Sequence, residues 1–353
     1  MTSRHYLPQH DRSIALWLVA CAVVIFGMIL LGGVTRLTGS GLSMVEWRPL
    51  MGIIPPLSDA EWQAVFDKYR QFPEYQQINR GMSLDGFKVI FMYEYLHRVL
   101  GRLIGVLFFV PLLVFALRGM IRPGMLPRLL VLFVLGGCQG LLGWYMVQSG
   151  LVDRPSVSQY RLASHLGLAV AIYGLMLWVI LDLWRHPQRP APSNDYRSGL
   201  GGGAAALVVL VYLMILSGAL VAGTDAGFSY STWPKMGPTF VPEGLYATEP
   251  AWLAAFEDVT TIQFNHRMFA YALAAVLVGF VIVVLQRETQ PRIRWAAWGV
   301  VAALSLQLVL GISTLLLHVP VPLAAAHQGG AVLLLSAMIF LAHTLLRRDS
   351  AHA

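Results

Sequence analysis

FMYEYLHRVLGRLIGVLFFVPLLVFAL, residues 91–117, is an apolar run long enough to cross a lipid bilayer, with its charged residues confined to one end. Charged side chains are costly inside a membrane unless they have a partner or a task. Glu94 and His97 are three residues apart and so share one face of a helix, with Arg98 beside them. The stretch predicts a spanning helix that carries a small polar site near one end.

Seven further runs of the same kind accompany this one. The 353 residues are 57% hydrophobic and 12% charged, and the mean hydropathy is +0.63, which excludes an ordinary soluble globule. The runs are continuous and do not alternate at every second residue, which disfavours a membrane β-barrel. The predicted fold class is an all-α polytopic membrane protein with eight spans at 14–34, 91–117, 126–148, 160–183, 200–222, 261–285, 295–317 and 323–346.

The distribution of cations predicts the topology. Thirteen arginines and five acidic residues fall on the side that carries both termini, while the other side takes the remaining 12 cations and 13 acids. By the positive-inside rule both termini are cytoplasmic, and the net charge of +7 reports topology, not nucleic-acid binding. The first run lacks a cleavage site and no Arg- and Ser-rich presequence precedes it, so we expect a multi-pass protein of a bacterial inner membrane.

The chain contains an internal repeat. Thr38, Gly41, Ser43 and Trp47 align without a gap on Thr224, Gly227, Ser229 and Trp233. The pair His97-Arg98 aligns on His266-Arg267, Gln139 and Gly143 align on Gln307 and Gly311, and His165 aligns on His327. A duplicated four-helix unit predicts two bundles related by a pseudo-twofold axis along the membrane normal.

The repeat divides the chain into two halves. The N-terminal half is predicted at 1–185, and it includes a long extracytoplasmic loop at 36–90 whose charged and aromatic later part predicts one or two surface helices. A Pro- and Gly-rich cytoplasmic linker at 186–203 precedes the C-terminal half at 204–353. Trp47 and Trp233 share a place in the repeated loops, which suggests a lid over each site.

Four histidines, one near the extracytoplasmic start of each even-numbered span, make up one pair in each half. A single histidine of this kind is most often a hydrogen-bonded interfacial residue, but four at repeat-related positions favour ligands. Zinc would want three or four converging ligands, whereas two imidazoles suit the axial positions of a haem iron. The pairs are His97 with His165 and His266 with His327. The other histidines, which lack a repeat partner, are interpreted as incidental: His5, His10, His186, His318, His343 and His352.

Arginines accompany the candidate ligands. Arg98 and Arg267 are repeated in step with the histidines, whereas Arg102, one turn deeper, occurs only in the first half. Haem propionates need cationic partners near the aqueous boundary, so these guanidiniums are candidate propionate ligands. The alternative for Arg98 and Arg267 is that they merely extend to the membrane interface.

Glu94 is where the repeat breaks, because Gln263 stands at the equivalent position. A carboxylate can take up protons or stabilise a developing cation, while an amide can only form hydrogen bonds. The alternative for Glu94 is a structural salt bridge to Arg98 or Arg102. The asymmetry predicts that the first half carries out chemistry and the second stores or passes electrons.

With YEYLHR in its second span, FNHR in its sixth and AAAHQGGA in its eighth, the chain resembles heme A synthase over nearly its whole length. The resemblance implies an oxidoreductase that converts the C8 methyl of haem O to the formyl of haem A. It implies a resident haem b on His266 and His327, a substrate haem bordered or ligated by His97 and His165, and Glu94 as the catalytic carboxylate. Heme O synthase and terminal oxidase assembly factors are the implied partners, beside an unknown electron partner. Unlike some bacterial members, the loop at 36–90 contains no cysteine.

Two other functions account for part of the sequence. A di-haem b electron carrier of the quinol-oxidoreductase type explains the four histidines equally well, but it leaves Glu94 opposite Gln263 without a reason. A transporter explains a parallel repeat but not the histidine pairs. The pigments bound by the purified protein separate the three.

Overall fold

The computed structural model describes residues 9–46, 53–151, 155–184 and 199–347. These ranges form helices alone apart from turns and one isolated β-bridge. Eight of the described helices are long and apolar enough to cross a membrane, which confirms the predicted all-α, eight-span fold class. In chain order the helices are α1 Gln9–Leu37, α2 Asp59–Tyr69, α3 Pro73–Gln77, α4 Leu84–Leu117, α5 Leu126–Gln148, α6 Gln159–Trp184, α7 Gly199–Gly223, α8 Ala251–Glu257, α9 Val259–Arg287, α10 Pro291–Leu316 and α11 Val321–Leu346.

Helices α4 and α9 carry the two histidine–arginine pairs. Each begins directly after a residue whose side chain caps the N-terminus of the helix. Ser83 Oγ accepts a hydrogen bond of 3.1 Å from the Gly86 amide, and Asp258 Oδ1 accepts one of 2.7 Å from the Thr261 amide. Each cap satisfies an amide that the first helical turn leaves unpaired. Helix α4 therefore begins at Leu84, seven residues earlier than its predicted span.

This early start changes the position of one histidine within its helix. His97 lies thirteen residues after the first residue of α4, so the expectation that it stands near the start of its helix is wrong. The apolar run that predicted the span does not reach the first two turns because Asp85 and Lys88 interrupt it. His165 and His327 each lie six residues into α6 and α11, as expected.

Each half is a closed ring of four helices. In the first half α1 packs on α4 and α6, and α5 packs on the same two helices; in the second half α7 packs on α9 and α11, and α10 completes the ring. The halves meet where α6 packs on α7 and α11, and where α1 packs on α11. Corresponding helices therefore make corresponding contacts, which supports the predicted repeat. The last five residues of the predicted linker, 199–203, are the first turn of α7.

We call the side of the bundle that carries 38–83 and 224–258 the loop side, and the opposite side the linker side. The predicted surface helices of the first loop are confirmed as α2 and α3. Helix α2 packs on the projecting start of α4 through an aromatic cluster that includes Phe66, Tyr69, Phe87 and Phe91. This cluster covers the loop side of α4 and is separate from the main core between the spanning helices.

Candidate functional site

Glu94 is buried at the junction of α4 and the first loop. Glu94 is 3% exposed, and its carboxylate takes part in a hydrogen-bond network. Oε2 accepts hydrogen bonds from Ser43 Oγ at 2.8 Å and from the Met44 amide at 2.7 Å, and Oε1 lies 2.6 Å from Arg98 Nη2. The salt bridge to Arg98 weighed from the sequence is thus present. Glu94 holds the loop in place whatever else it does.

Arg98 binds the same loop segment. Its guanidinium donates to the carbonyl of Met44 at 2.9 Å and to that of Glu46 at 3.1 Å, besides its contact with Glu94. A guanidinium is suited to this task because its donors are fixed in one plane. The observed contacts are with the loop, and binding of a propionate by Arg98 stays a prediction.

The second half repeats this arrangement with different side chains. Arg267 donates to the carbonyls of Tyr230 at 2.7 Å and Thr232 at 2.8 Å, which are the positions equivalent to Met44 and Glu46. Gln263 Nε2 donates to the Tyr230 carbonyl at 3.1 Å. An amide in one half and a carboxylate in the other therefore anchor the same stretch of loop.

Each of the four histidines rests against a glycine of a neighbouring helix. A Cβ built on Gly143 would lie 2.9 Å from the Cε1 of His165, and one built on Gly311 would lie 2.6 Å from that of His327. Both distances are too short for a methyl group, so the glycines make room for the rings. Gly32 and Gly218 stand in the same relation to the other two histidines, His97 and His266.

The imidazoles form one pair in each half. His97 and His165 lie on opposite helices of the first ring, and His266 and His327 on opposite helices of the second. The Nδ1 atoms of His97, His165 and His327 are buried without a hydrogen-bond partner among the described residues. Across the described part of the chain, no three His, Cys, Asp or Glu side chains are grouped to hold a bare metal ion. Paired imidazoles with small residues beneath them fit axial ligation of a haem iron.

The remaining predicted residues lie nearby. Arg102 is half-buried on α4, one turn beyond Arg98. Trp47 lies outside the described residues, and Trp233 is 45% exposed in the loop held by Arg267. The proposed tryptophan lids therefore stay a prediction.

A second buried carboxylate lies in the cap formed by the first loop. Glu74 is 5% exposed, and its Oε2 accepts a hydrogen bond of 3.0 Å from the hydroxyl of Tyr69. Burial raises the pKa of Glu74 to about 7, and the negative charge of Glu94 adds to the rise, while the bond from Tyr69 opposes it. The loop thus places a group that titrates near neutrality within electrostatic reach of Glu94.

Two side chains of the site were missed in the sequence. Ser217 Oγ lies 3.1 Å from the Nδ1 of His266. Arg161, one turn before His165, stacks on the ring of Tyr145 at 3.8 Å and donates to its carbonyl at 2.7 Å. Extending the repeat alignment to these positions, where the other half has Leu31 and Leu323, would have marked both as differences between the halves.

His343 is a third residue whose interpretation changes. Its Nε2 lies 3.1 Å from Asp182 Oδ1 across the interface between α6 and α11, and its ring packs edge-on against Trp178. The interpretation of His343 as incidental is therefore wrong. The repeat pointed only to pairs of histidines, and it could not reveal this contact because the partner of His343 is an aspartate.

The fold and this site define a polytopic helical membrane protein in which each half holds a pair of imidazoles on opposite helices of its four-helix ring. The sequence model of the COX15-CtaA family, described as cytochrome oxidase assembly protein, matches residues 15–339. The chain belongs to this family. It is 48% identical to the heme A synthase of Nitrosospira multiformis over 338 residues, which cover 96% of this chain and 95% of that protein.

Further relatives agree. The chain is 46% identical to the heme A synthase of Parvibaculum lavamentivorans over 338 residues, 96% of each chain. It is also 46% identical to that of Rhodospirillum centenum over 335 residues, 95% of this chain and 88% of the relative. The resemblance recognised from YEYLHR, FNHR and AAAHQGGA is confirmed.

Proposed function

We propose that the chain is an oxidoreductase of haem A biosynthesis that converts the C8 methyl of haem O to the formyl of haem A. Relatives nearly half identical to it over almost their whole length are heme A synthases. The observation in the structure that supports the proposal most directly is the pair of glycine-backed imidazoles in each half.

The two pairs have different tasks in this proposal. His266 and His327 hold a resident haem b, which supplies one-electron redox chemistry when bound. His97 and His165 bind the substrate haem O through its iron in the first half. Arg98 and Arg267 contact the loops of the loop side, and Arg102 lies one turn further along α4; these three cations are the proposed partners of propionates. These assignments rest on the imidazoles of each half, every one of which has a glycine of a neighbouring helix against its ring.

Glu94 is the proposed catalytic carboxylate. Oxidation of a methyl carbon releases protons, and a carboxylate near the reacting carbon can accept them. Its burial excludes bulk water, and the bonds from Ser43 and Met44 fix the orientation of Oε2. Gln263 could supply the anchoring but not the proton uptake, which accounts for the asymmetry between halves.

The same proposal assigns the protein its membrane location and its partners. The protein lies in a bacterial inner membrane with both termini cytoplasmic, so that the loop side is extracytoplasmic. Haem O reaches it from a heme O synthase, and haem A leaves toward the assembly factors of a terminal oxidase. With water as the source of the formyl oxygen, the oxidation releases electrons and protons, and an electron partner outside the chain accepts the electrons. No nucleic acid takes part.

The test is to express the chain in a haem A-deficient bacterial host that makes haem O, and to extract the haems from its membranes. We expect haem A in those membranes, and haem B with haem O or haem A in the purified protein. Two equivalents of haem B with no haem A in the membranes would identify a di-haem electron carrier instead.

A further inference from the structure

In the second half, α7 meets the imidazole of His266 with two successive residues. A Cβ on Gly218 would lie 3.3 Å from the Cε1 of the ring. The preceding residue, Ser217, brings its hydroxyl to 3.1 Å from Nδ1. Gly218 therefore lies against one side of the ring, and Ser217 is hydrogen-bonded to Nδ1, the nitrogen that would point away from a metal bound through Nε2.

In the first half, α1 meets His97 in the same way but without the hydrogen bond. A Cβ on Gly32 would lie 3.0 Å from the Cε1 of the ring, so the helix approaches the imidazole about as closely. The preceding residue is Leu31, whose side chain can neither donate nor accept. The Nδ1 of His97 is buried and has no partner among the described residues.

The two positions correspond in the repeat. The alignment of Thr38 on Thr224, carried seven residues toward the N-terminus, pairs Leu31 with Ser217. The other ring of each half, His165 and His327, has an unpartnered Nδ1 in both halves, so this position alone distinguishes the two pairs by an Nδ1 hydrogen bond. The difference lies in one side chain and not in the approach of the helices.

We propose that Ser217 is a positioning residue that fixes the imidazole of His266 and so retains the resident haem, and that Leu31 leaves His97 free of such a bond so that the first half can exchange haem. The inference rests on the proposed function. A hydrogen bond to the outer nitrogen of a ligating histidine sets the ring orientation and raises its basicity, and its loss typically lowers metal affinity by about 10-fold to 100-fold. One such bond strengthens the hold on a resident cofactor, whereas a substrate that must leave as product is bound better without it.

The first test measures haem retention by the purified full-length protein. Ser217→Ala removes the hydroxyl, and Ser217→Thr keeps it as the matched control. We expect Ser217→Ala to release haem B to excess apomyoglobin about 10-fold faster than the wild type, with Ser217→Thr close to the wild type. The midpoint potential of haem B should rise in Ser217→Ala alone, because a less basic imidazole stabilises the ferric iron less; a purely structural role of Ser217 would leave the potential unchanged.

The converse test adds the bond to the first half. Leu31→Ser supplies a hydroxyl opposite His97, and Leu31→Ala removes the same bulk without one. We expect more haem O and haem A to co-purify per haem B in Leu31→Ser than in Leu31→Ala. Equal release rates and potentials for Ser217→Ala and the wild type, or equal pigment ratios for the two Leu31 variants, would overturn the inference and leave the proposed function intact. A wild-type protein without haem B would overturn both.

Discussion

Glu94 and Gln263 anchor equivalent stretches of loop, one with a carboxylate and the other with an amide. This separates two roles that a mutation of Glu94 to alanine would remove together. Glutamine at position 94 can still accept the bonds from Ser43 and the Met44 amide with its carbonyl oxygen. It loses the bond from Arg98, whose guanidinium still donates to the loop carbonyls of Met44 and Glu46, and it cannot accept a proton in catalysis. The second half shows that such a loop folds with glutamine.

We therefore expect Glu94→Gln to lower haem A formation by roughly 100-fold or more, the usual size of a general acid–base contribution, while the loop stays folded. The measurements are haem A per cell by extraction and the protease sensitivity of the segment 38–83. Glu94→Ala is the comparison, and it should show the same loss of haem A together with a more sensitive loop. Haem A at the wild-type level in Glu94→Gln would remove the carboxylate from the chemistry.

A residue could be predicted from the sequence only when its own side chain and its place in the chain pointed to a role. The four histidines and Glu94 were found because a polar residue stands out in an apolar helix and the repeat says which are shared. The carbonyl contacts of Arg98 could not be found, since their acceptors are backbone atoms more than fifty residues away in sequence that any residue type would offer. The repeat alignment could have marked Ser217 as a difference between the halves, but a serine in a membrane helix is too common to indicate a role by itself.

At the scale of elements, α2, α3 and the start of α4 form a cap whose interior contains Glu74. A carboxyl whose pKa is raised by burial from 4.5 to about 7 binds a proton more tightly in the folded cap than in the unfolded loop. Its contribution to stability is therefore fully present below pH 4.5 and is lost as the pH rises through about 7. The cap should loosen toward alkaline pH.

Glu74→Gln should abolish this loosening, because an amide has no charge to desolvate and can still accept the hydrogen bond from Tyr69. We expect the amides of α2 to exchange with deuterium more slowly in this variant than in the wild type at pH 8, by up to about 3 kcal/mol of opening free energy, and the difference to shrink toward pH 5. Asp67→Asn, on the exposed face of α2, is the control and should leave the pH dependence as it is. An identical dependence in Glu74→Gln and the wild type would show that Glu74 is not the titrating group.

Element existence was easier to predict than element ends. Hydropathy located all eight spans because burial in lipid demands long apolar runs. Hydropathy placed the start of α4 two turns late because the turns that follow Ser83 contain charged residues. These turns pack on aromatic side chains of the first loop. The cap residues Ser83 and Asp258 are readable signals for such starts.

At the scale of the whole molecule, the halves are joined by polar contacts at several depths. Arg36 pairs with Asp225 at 3.1 Å on the loop side, Tyr173 bonds Ser336 at 2.9 Å in the middle, and Asp182 meets His343 on the linker side. The Asp182 carboxylate is 8% exposed and also contacts Arg128 and Arg347. These contacts depend on how the two bundles face each other, which a repeat within the sequence does not specify.

Asp182→Ala should weaken the association of the halves. It leaves His343, which is 1% exposed, without the acceptor that Asp182 provides, a loss worth roughly 1–3 kcal/mol for a buried polar group. We expect a lower thermal denaturation midpoint in detergent, with an unchanged haem spectrum below the transition. Asp85→Ala, which breaks a pair whose aspartate is 93% exposed, is the matched control and should leave the midpoint within error of the wild type. Equal midpoints for Asp182→Ala and the wild type would show that the contact contributes nothing to association.

We propose that each half holds its own haem, a resident one on His266 and His327 and the substrate on His97 and His165. The most direct measurement is the haem content of purified His266→Ala and His97→Ala, extracted and separated by chromatography. We expect His266→Ala to lose haem B, and His97→Ala to keep haem B in wild-type amount and to lack haem O and haem A. Loss of haem B in both variants alike, or its full retention in His266→Ala, would contradict the division between the halves.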